Sequence, residues 1–103
     1  MYQSMNLIIS RHPHAVEWLQ LRGITGQFIE HATGEEGHPG DSVYGPLPVD
    51  YVDRFLHRGL SVFFVALPKI TLDQRKGELS VEEMDQAGAC LMQVKSIVLD
   101  PVR

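Results

Sequence analysis

The chain has 103 residues, a formal net charge of −4, and a composition that is 44% hydrophobic and 21% charged. This length supports one hydrophobic core but not two, and the composition excludes disordered and collagen-like chains. The acidic balance argues against charge-driven binding to long nucleic acid, which needs many Lys and Arg residues to neutralise phosphates, but it leaves room for a small anionic ligand. We expect one domain spanning residues 1–103.

Neither a membrane segment nor a secretion signal is predicted. The longest apolar stretch, Leu60–Leu67, is far shorter than the roughly 20 residues of a membrane helix. Residues Met1–Ser10 lack the basic and apolar regions of a signal peptide. The single cysteine, Cys90, falls in a helical apolar pattern that predicts a buried thiol without catalytic function. We expect a cytoplasmic protein with no membrane partner.

The first half of the chain predicts three strands and a helix. Met5–Ser10 contains three consecutive large apolar residues, as in a central strand covered on both faces. After a very short loop, Pro13 opens a helix that ends at Gly23, because proline suits the first helical turn and glycine the end. Gln27–His31 and Ser42–Tyr44 are the next two predicted strands.

The second half predicts a helix, a strand and a final helix. The rigid turn Gly45–Pro48 leads into an amphipathic helix that ends at Gly59. Leu60–Leu67 is the strongest strand signal in the chain. Ser80 and Glu83 have the spacing of a capping box and open the last helix. Its predicted apolar stripe comprises Met84, Ala87, Gly88, Leu91, Val94 and Val98.

Alternation of strands with helices predicts a single-domain α/β fold. Parallel strands need crossover helices, so the pattern favours a three-layer sandwich around a mainly parallel, Rossmann-like sheet. In such sheets ligands bind beyond the carboxyl ends of the strands, often where the first strand gives way to its helix.

Ser10, Arg11, His12 and His14 lie at that position and form a candidate phosphate site. The helix N–H groups can hold a phosphate oxygen, Arg11 can bind two oxygens in fork geometry, and Ser10 can donate its hydroxyl. His12 can donate a proton to a leaving oxygen. These residue types in this order suit binding and cleavage of a phosphodiester.

A structural interpretation of the same residues stays open. In it, His12 only caps the helix, Ser10 bonds the backbone, and Arg11 pairs with Glu17 or Glu30.

Additional ligand contacts are predicted at His31, which ends the second strand, and at Lys69, which follows the fourth. His38 and Asp41 flank a glycine-rich loop that is either a lid or an ordinary polar loop. The histidines are scattered without metal-ligand spacing, so we expect no metal and no other cofactor.

Several segments resemble, in order, a family of small Csx-type, VVA-type CRISPR-associated proteins, and together they cover nearly the whole chain. They are Ile9-Ser10-Arg11-His12-Pro13 with Ala15 and Glu17-Trp18, Gly40-Asp41-Ser42-Val43, Gly45 with Leu47-Pro48-Val49, and Gly77-Glu78-Leu79-Ser80 with Glu83-Met84 and Gly88-Ala89.

The resemblance implies a CARF-like fold and a role in type III CRISPR systems like that of ring nucleases. Those enzymes bind cyclic tetra-adenylate at the axis of a homodimer and open it, which switches off antiviral signalling. Ser10, Arg11 and His12 match the positions that face the ligand. The implied reaction is metal-independent: the ribose 2'-hydroxyl attacks its own phosphate and expels the 5'-oxygen.

Three other functions remain possible from the sequence. A non-catalytic protein of the same ligand class would sequester or sense the cyclic nucleotide. A strand ending in Arg11-His12 also resembles the histidine phosphatases, although Pro13 replaces their glycine and the chain is shorter. The third is an interaction protein without a small ligand.

Overall fold

The computed structural model describes residues 3–10, 12–71 and 79–102. Within these ranges the chain forms five strands and three helices. In chain order they are β1 (Asn6–Ile9), α1 (Pro13–Leu21), β2 (Gln27–Ile29), β3 (Ser42–Tyr44), α2 (Val49–His57), β4 (Ser61–Ala66), α3 (Val81–Gln86) and β5 (Cys90–Val94). None of the helices in these ranges combines the length and apolarity needed to cross a bilayer.

The five strands form one mixed sheet in the order β2-β1-β3-β4-β5. β1 lies parallel to both β2 and β3, and β3 lies parallel to β4. Only β5 runs antiparallel, along the outer edge of β4. Because the chain moves from β1 to β2 on one side and then to β3 on the other, the strand order reverses between β1 and β3. A sheet opens a crevice at such a reversal, beyond the carboxyl ends of the strands.

The alternating side chains of the strands build a hydrophobic core on each face of the sheet. On one face Leu7 and Ile9 of β1 pack with Phe55 of α2. On the other face Ile8 packs with Trp18 of α1 and with α3. The helices thus lie on both faces, which confirms the predicted three-layer α/β arrangement with a mostly parallel sheet.

The predicted final helix is wrong beyond its first turns. The capping box of Ser80 and Glu83 is present, with both reciprocal hydrogen bonds, and α3 begins at Val81 as expected. Gly88 then adopts a φ of +78°, a left-handed conformation that ends the helix, and the chain continues as β5. Cys90 lies on this edge strand with its side chain exposed, so the prediction of a buried thiol is also wrong.

The loop between β2 and β3 is fastened to the rest of the fold by charged side chains. Asp41 is 1% exposed, and its carboxylate accepts hydrogen bonds from the N–H groups of Met5 and His38, each at 2.9 Å. The guanidinium of Arg58, the residue that caps the C-terminus of α2, donates to three carbonyl oxygens of the loop, including that of Gly37 at 2.6 Å. These contacts hold the loop in place. They agree with the interpretation of this segment as an ordinary polar loop and not as a lid.

The same loop predicts a pH dependence of stability. Burial alone would raise the pKa of Glu36, but hydrogen bonds from the Thr33 and Gly34 N–H groups and the Thr33 hydroxyl bring it below its ordinary value of 4.5. A lowered folded-state pKa stabilises the fold above the ordinary value, and this contribution is lost as the pH falls through the folded-state value.

We therefore expect wild type to lose more unfolding free energy than Glu36→Gln as the pH falls from about 5 to about 3. Urea unfolding at a series of pH values measures this difference. Parallel curves for the two proteins would contradict it.

Candidate functional site

A cavity of about 380 Å³ opens at the carboxyl edge of the sheet, where the strand order reverses. Ser10 enters it from the end of β1, Glu30 from the end of β2, and Pro46 from the end of β3. We call it the polar cavity. Its volume lies in the range of small-molecule sites, and its position is the one that the fold class favours.

The lining of the polar cavity combines two kinds of residue. Hydroxyl, imidazole and carboxylate groups come from Ser10, His12, Glu30 and His31. Aliphatic and aromatic side chains come from Ile9, Ala32, Pro46, Leu47, Pro48 and Tyr51. Such a combination suits a ligand that has a charged or hydroxylated part and a flat apolar part.

The turn from β1 into α1 positions His12. Ser10 is 4% exposed, and its hydroxyl accepts a hydrogen bond from the His12 N–H at 3.1 Å and donates to the His12 carbonyl at 3.4 Å. His12 has extended backbone angles at the N-cap of α1, but in the described part of the chain its imidazole makes no capping hydrogen bond. Ser10 therefore bonds the backbone, as the structural interpretation expects, while the exposed His12 side chain is not used as a cap.

Gly45 allows the ends of β1 and β3 to approach closely. Its φ is +148°, and a Cβ atom at this position would overlap the carbonyl oxygen of Ile9. The close approach brings Ser10 and Pro46 to one cavity.

A second cavity of about 470 Å³ adjoins the first. Ser10, His12, Pro46 and Leu47 line both. The remaining lining is almost entirely apolar, so we call it the apolar cavity. His12 thus stands where the two spaces meet.

Two helix N-termini face this region of the molecule. α1 begins immediately after His12, and α2 begins immediately after Pro48, which also lines the polar cavity. The N-terminus of a helix carries a partial positive charge that favours an anion. In α1 this charge acts with few N–H donors, because Pro13 has none and the N–H groups of Ala15 and Val16 both donate to the His12 carbonyl oxygen. Across the described ranges no three His, Cys, Asp or Glu side chains are grouped closely enough to hold a metal ion.

The structure brings together three of the predicted site residues and separates two. Ser10, His12 and His31 line the polar cavity. His14 points along α1 instead, with its Nδ1 3.7 Å from the carboxylate of Glu17, and it lines neither cavity. Lys69 also lies outside both linings, beyond the end of β4. Arg11 falls outside the described residues.

Among the lining residues that were not predicted as site residues, two carry ionisable side chains, Glu30 and Tyr51. Glu30 brings a carboxylate whose Oε1 lies 4.0 Å from the Nε2 of His31. Tyr51 lies in the first turn of α2, and the guanidinium of Arg54 stands 5.2 Å above its ring. Tyr51 also follows the Pro46-Leu47-Pro48 turn, and that spacing was the available sequence signal for its proximity to the site.

Comparison with known proteins identifies the family. No curated protein and no solved structure gave a significant match to the chain. The sequence model of the CRISPR-associated protein family Cas_VVA1548 matches residues 7–97, which include every strand and helix of the structure except the first residue of β1. The chain therefore belongs to this CRISPR-associated family.

Proposed function

We propose that the protein binds a cyclic oligoadenylate, most suitably cyclic tetra-adenylate, and opens it to linear products without a metal ion. The observation that carries this proposal is the polar cavity, whose lining combines two imidazoles with aliphatic and aromatic side chains and includes the residues that precede α1 and α2. Membership of a CRISPR-associated family supports it, because such a ring signals in type III CRISPR systems.

The two kinds of lining residue match the two parts of a nucleotide. A phosphodiester would lie beside His12, where the positive end of α1 favours its charge. An adenine base would lie against Tyr51 and Leu47, since aromatic and aliphatic side chains favour a flat π-system. The apolar cavity on the other side of His12 offers space for a second nucleoside.

The reaction needs alignment and charge stabilisation. The ribose 2'-oxygen attacks the adjacent phosphorus while the 5'-oxygen leaves, which gives a 2',3'-cyclic phosphate and a free 5'-hydroxyl. His12 would protonate the leaving oxygen, and Arg11 together with the positive end of α1 would stabilise the added charge. Ser10 would hold the His12 backbone in place through its two hydrogen bonds.

A homodimer would enclose such a ring best. A cyclic tetranucleotide is compatible with two-fold symmetry, and two copies of the polar cavity about one axis would contact opposite phosphates. The expected products are a linear tetranucleotide intermediate followed by a two-adenosine product.

The test is incubation of the purified protein with cyclic oligoadenylates of several ring sizes, with and without excess chelator. We expect linear products from the tetra-adenylate ring in both conditions. Chromatography identifies the products, while light scattering and calorimetry measure one ring per dimer.

The competing functions give different results. Saturation without a linear product would favour a sequestering protein. A phosphohistidine trapped on His12 would favour a phosphatase. A saturated monomer with one ring per chain would overturn the shared site, and activity restored only by a divalent metal would overturn the metal-free reaction.

A further inference from the structure

His31 and His12 enter the polar cavity from neighbouring strands. β1 and β2 are parallel and pair Ile9 with Ile29, so His12 follows the paired position by three residues and His31 by two. Adjacent strands lie about 4.8 Å apart, and both histidines line the same space. The His31 side chain is 70% exposed, so its imidazole can exchange protons with solvent.

Two imidazoles in one site can divide a proton transfer between them. One imidazole must be neutral to accept a proton while the other is charged to donate one, and both states are accessible to histidine near neutral pH. In the proposed reaction the attacking 2'-oxygen loses a proton and the leaving 5'-oxygen gains one. One imidazole can therefore act as the base and the other as the acid.

We propose that His31 is the general base of this site, an inference that rests on the proposed function. Its imidazole accepts the proton of the ribose 2'-hydroxyl as the bond from the 2'-oxygen to phosphorus forms. The bond from phosphorus to the 5'-oxygen breaks, and His12 supplies the proton that the 5'-oxygen takes up. The two histidines then exchange protons with solvent, and no water is consumed.

Glu30 places a carboxylate near this imidazole. Its Oε1 lies 4.0 Å from the Nε2 of His31, beyond hydrogen-bond distance, and both side chains are 70% exposed, so the contact does not fix which ring nitrogen faces the substrate. The other titratable groups at the cavity are His12 beyond β1 and Tyr51 from α2.

The experiment compares His31→Ala with His57→Ala. His57 is a matched control because it is also an exposed histidine near a carboxylate, 3.2 Å from Asp53, yet it lies at the far end of α2. Ring opening of cyclic tetra-adenylate is followed against pH, with and without added imidazole, and ring binding is measured by calorimetry.

We expect His31→Ala to cleave about 100-fold more slowly with unchanged ring affinity. Its rate should no longer rise with pH on the acid side of the optimum, because that rise reports deprotonation of the base. Added imidazole should restore part of the rate in His31→Ala and leave His57→Ala unchanged. His31→Gln should be as slow as His31→Ala at its own optimum, because glutamine cannot accept the proton.

The failures are distinguishable. If wild type binds no ring or forms no linear product, the proposed function falls and His31 loses its role with it. If wild type cleaves and His31→Ala keeps the wild-type rate and pH profile, only the role of His31 is overturned. Loss of ring affinity in both His31 variants would make it a binding residue and overturn its role as a base.

Discussion

Replacement of His12 by alanine should slow ring opening about 1000-fold while the affinity for cyclic tetra-adenylate stays unchanged. A general acid acts in the transition state, where the leaving oxygen needs a proton, and contributes little to ground-state binding. The imidazole is exposed, and it makes no capping hydrogen bond to α1 in the described part of the chain. Its removal should therefore leave the fold intact.

Arg11→Ala is the contrasting variant. A guanidinium that pairs with a phosphate acts in the ground state and in the transition state, so this change should weaken binding and cleavage together. Single-turnover cleavage and calorimetric binding separate the two effects. Cleavage by His12→Ala at the wild-type rate would remove His12 from the chemistry, and wild-type affinity in Arg11→Ala would remove Arg11 from the site.

Local sequence signals predict the β1–α1 unit well. The apolar run before Ser10, the proline that opens α1 and the glycine at position 23 each act within a few residues. Both β1 and α1 lie within the predicted segments. The helix after Pro48 and its end before Gly59 follow from the same kind of signal.

The last quarter of the chain shows where such signals fail. The spacing of Met84, Ala87, Leu91 and Val94 fits a helix, but Gly88 ends α3 and the open edge of β4 pairs with residues 90–94. Leu91 contributes to the core on the α1 face and Val94 to the core on the α2 face. A strand whose side chains enter the cores on both faces of the sheet can carry the same apolar residues as one face of a helix. Periodicity alone therefore could not distinguish a strand from a helix here.

Some residues of the candidate site could likewise be predicted from local sequence, and others could not. Ser10 and His12 could be predicted because the end of the first strand is a general ligand position. Glu30 could not, since its place in the cavity depends on how β2 registers against β1. For Tyr51 the sequence offered only an indirect signal, its position just after the Pro46-Leu47-Pro48 turn. His14 is only two residues beyond His12, yet the turn of α1 directs it toward Glu17 instead.

Gly45→Ala should cause the largest loss of stability among the changes considered. A non-glycine residue with a φ of +148° costs about 1–3 kcal/mol. The new Cβ would also overlap the Ile9 carbonyl oxygen, which forces the ends of β1 and β3 apart. We expect a total loss of at least about 3 kcal/mol, a large share of the roughly 5–15 kcal/mol that stabilises a domain of this size.

Gly23→Ala is the matched control. Gly23 also has a positive φ, +81°, but a Cβ there would meet no other atom within 4 Å. Its expected cost is therefore backbone strain alone, about 1–2 kcal/mol. Urea unfolding of both variants gives the difference that the β1–β3 contact contributes.

The same pair of variants links the fold to the site. Gly45 precedes Pro46 and lines the apolar cavity, so forcing the strand ends apart should alter both cavities and weaken binding of cyclic tetra-adenylate even where the variant stays folded. Gly23 lies at the opposite end of α1 from His12 and should leave the affinity unchanged. Equal losses of stability in the two variants would show that the close approach of β1 and β3 is not what requires glycine at position 45.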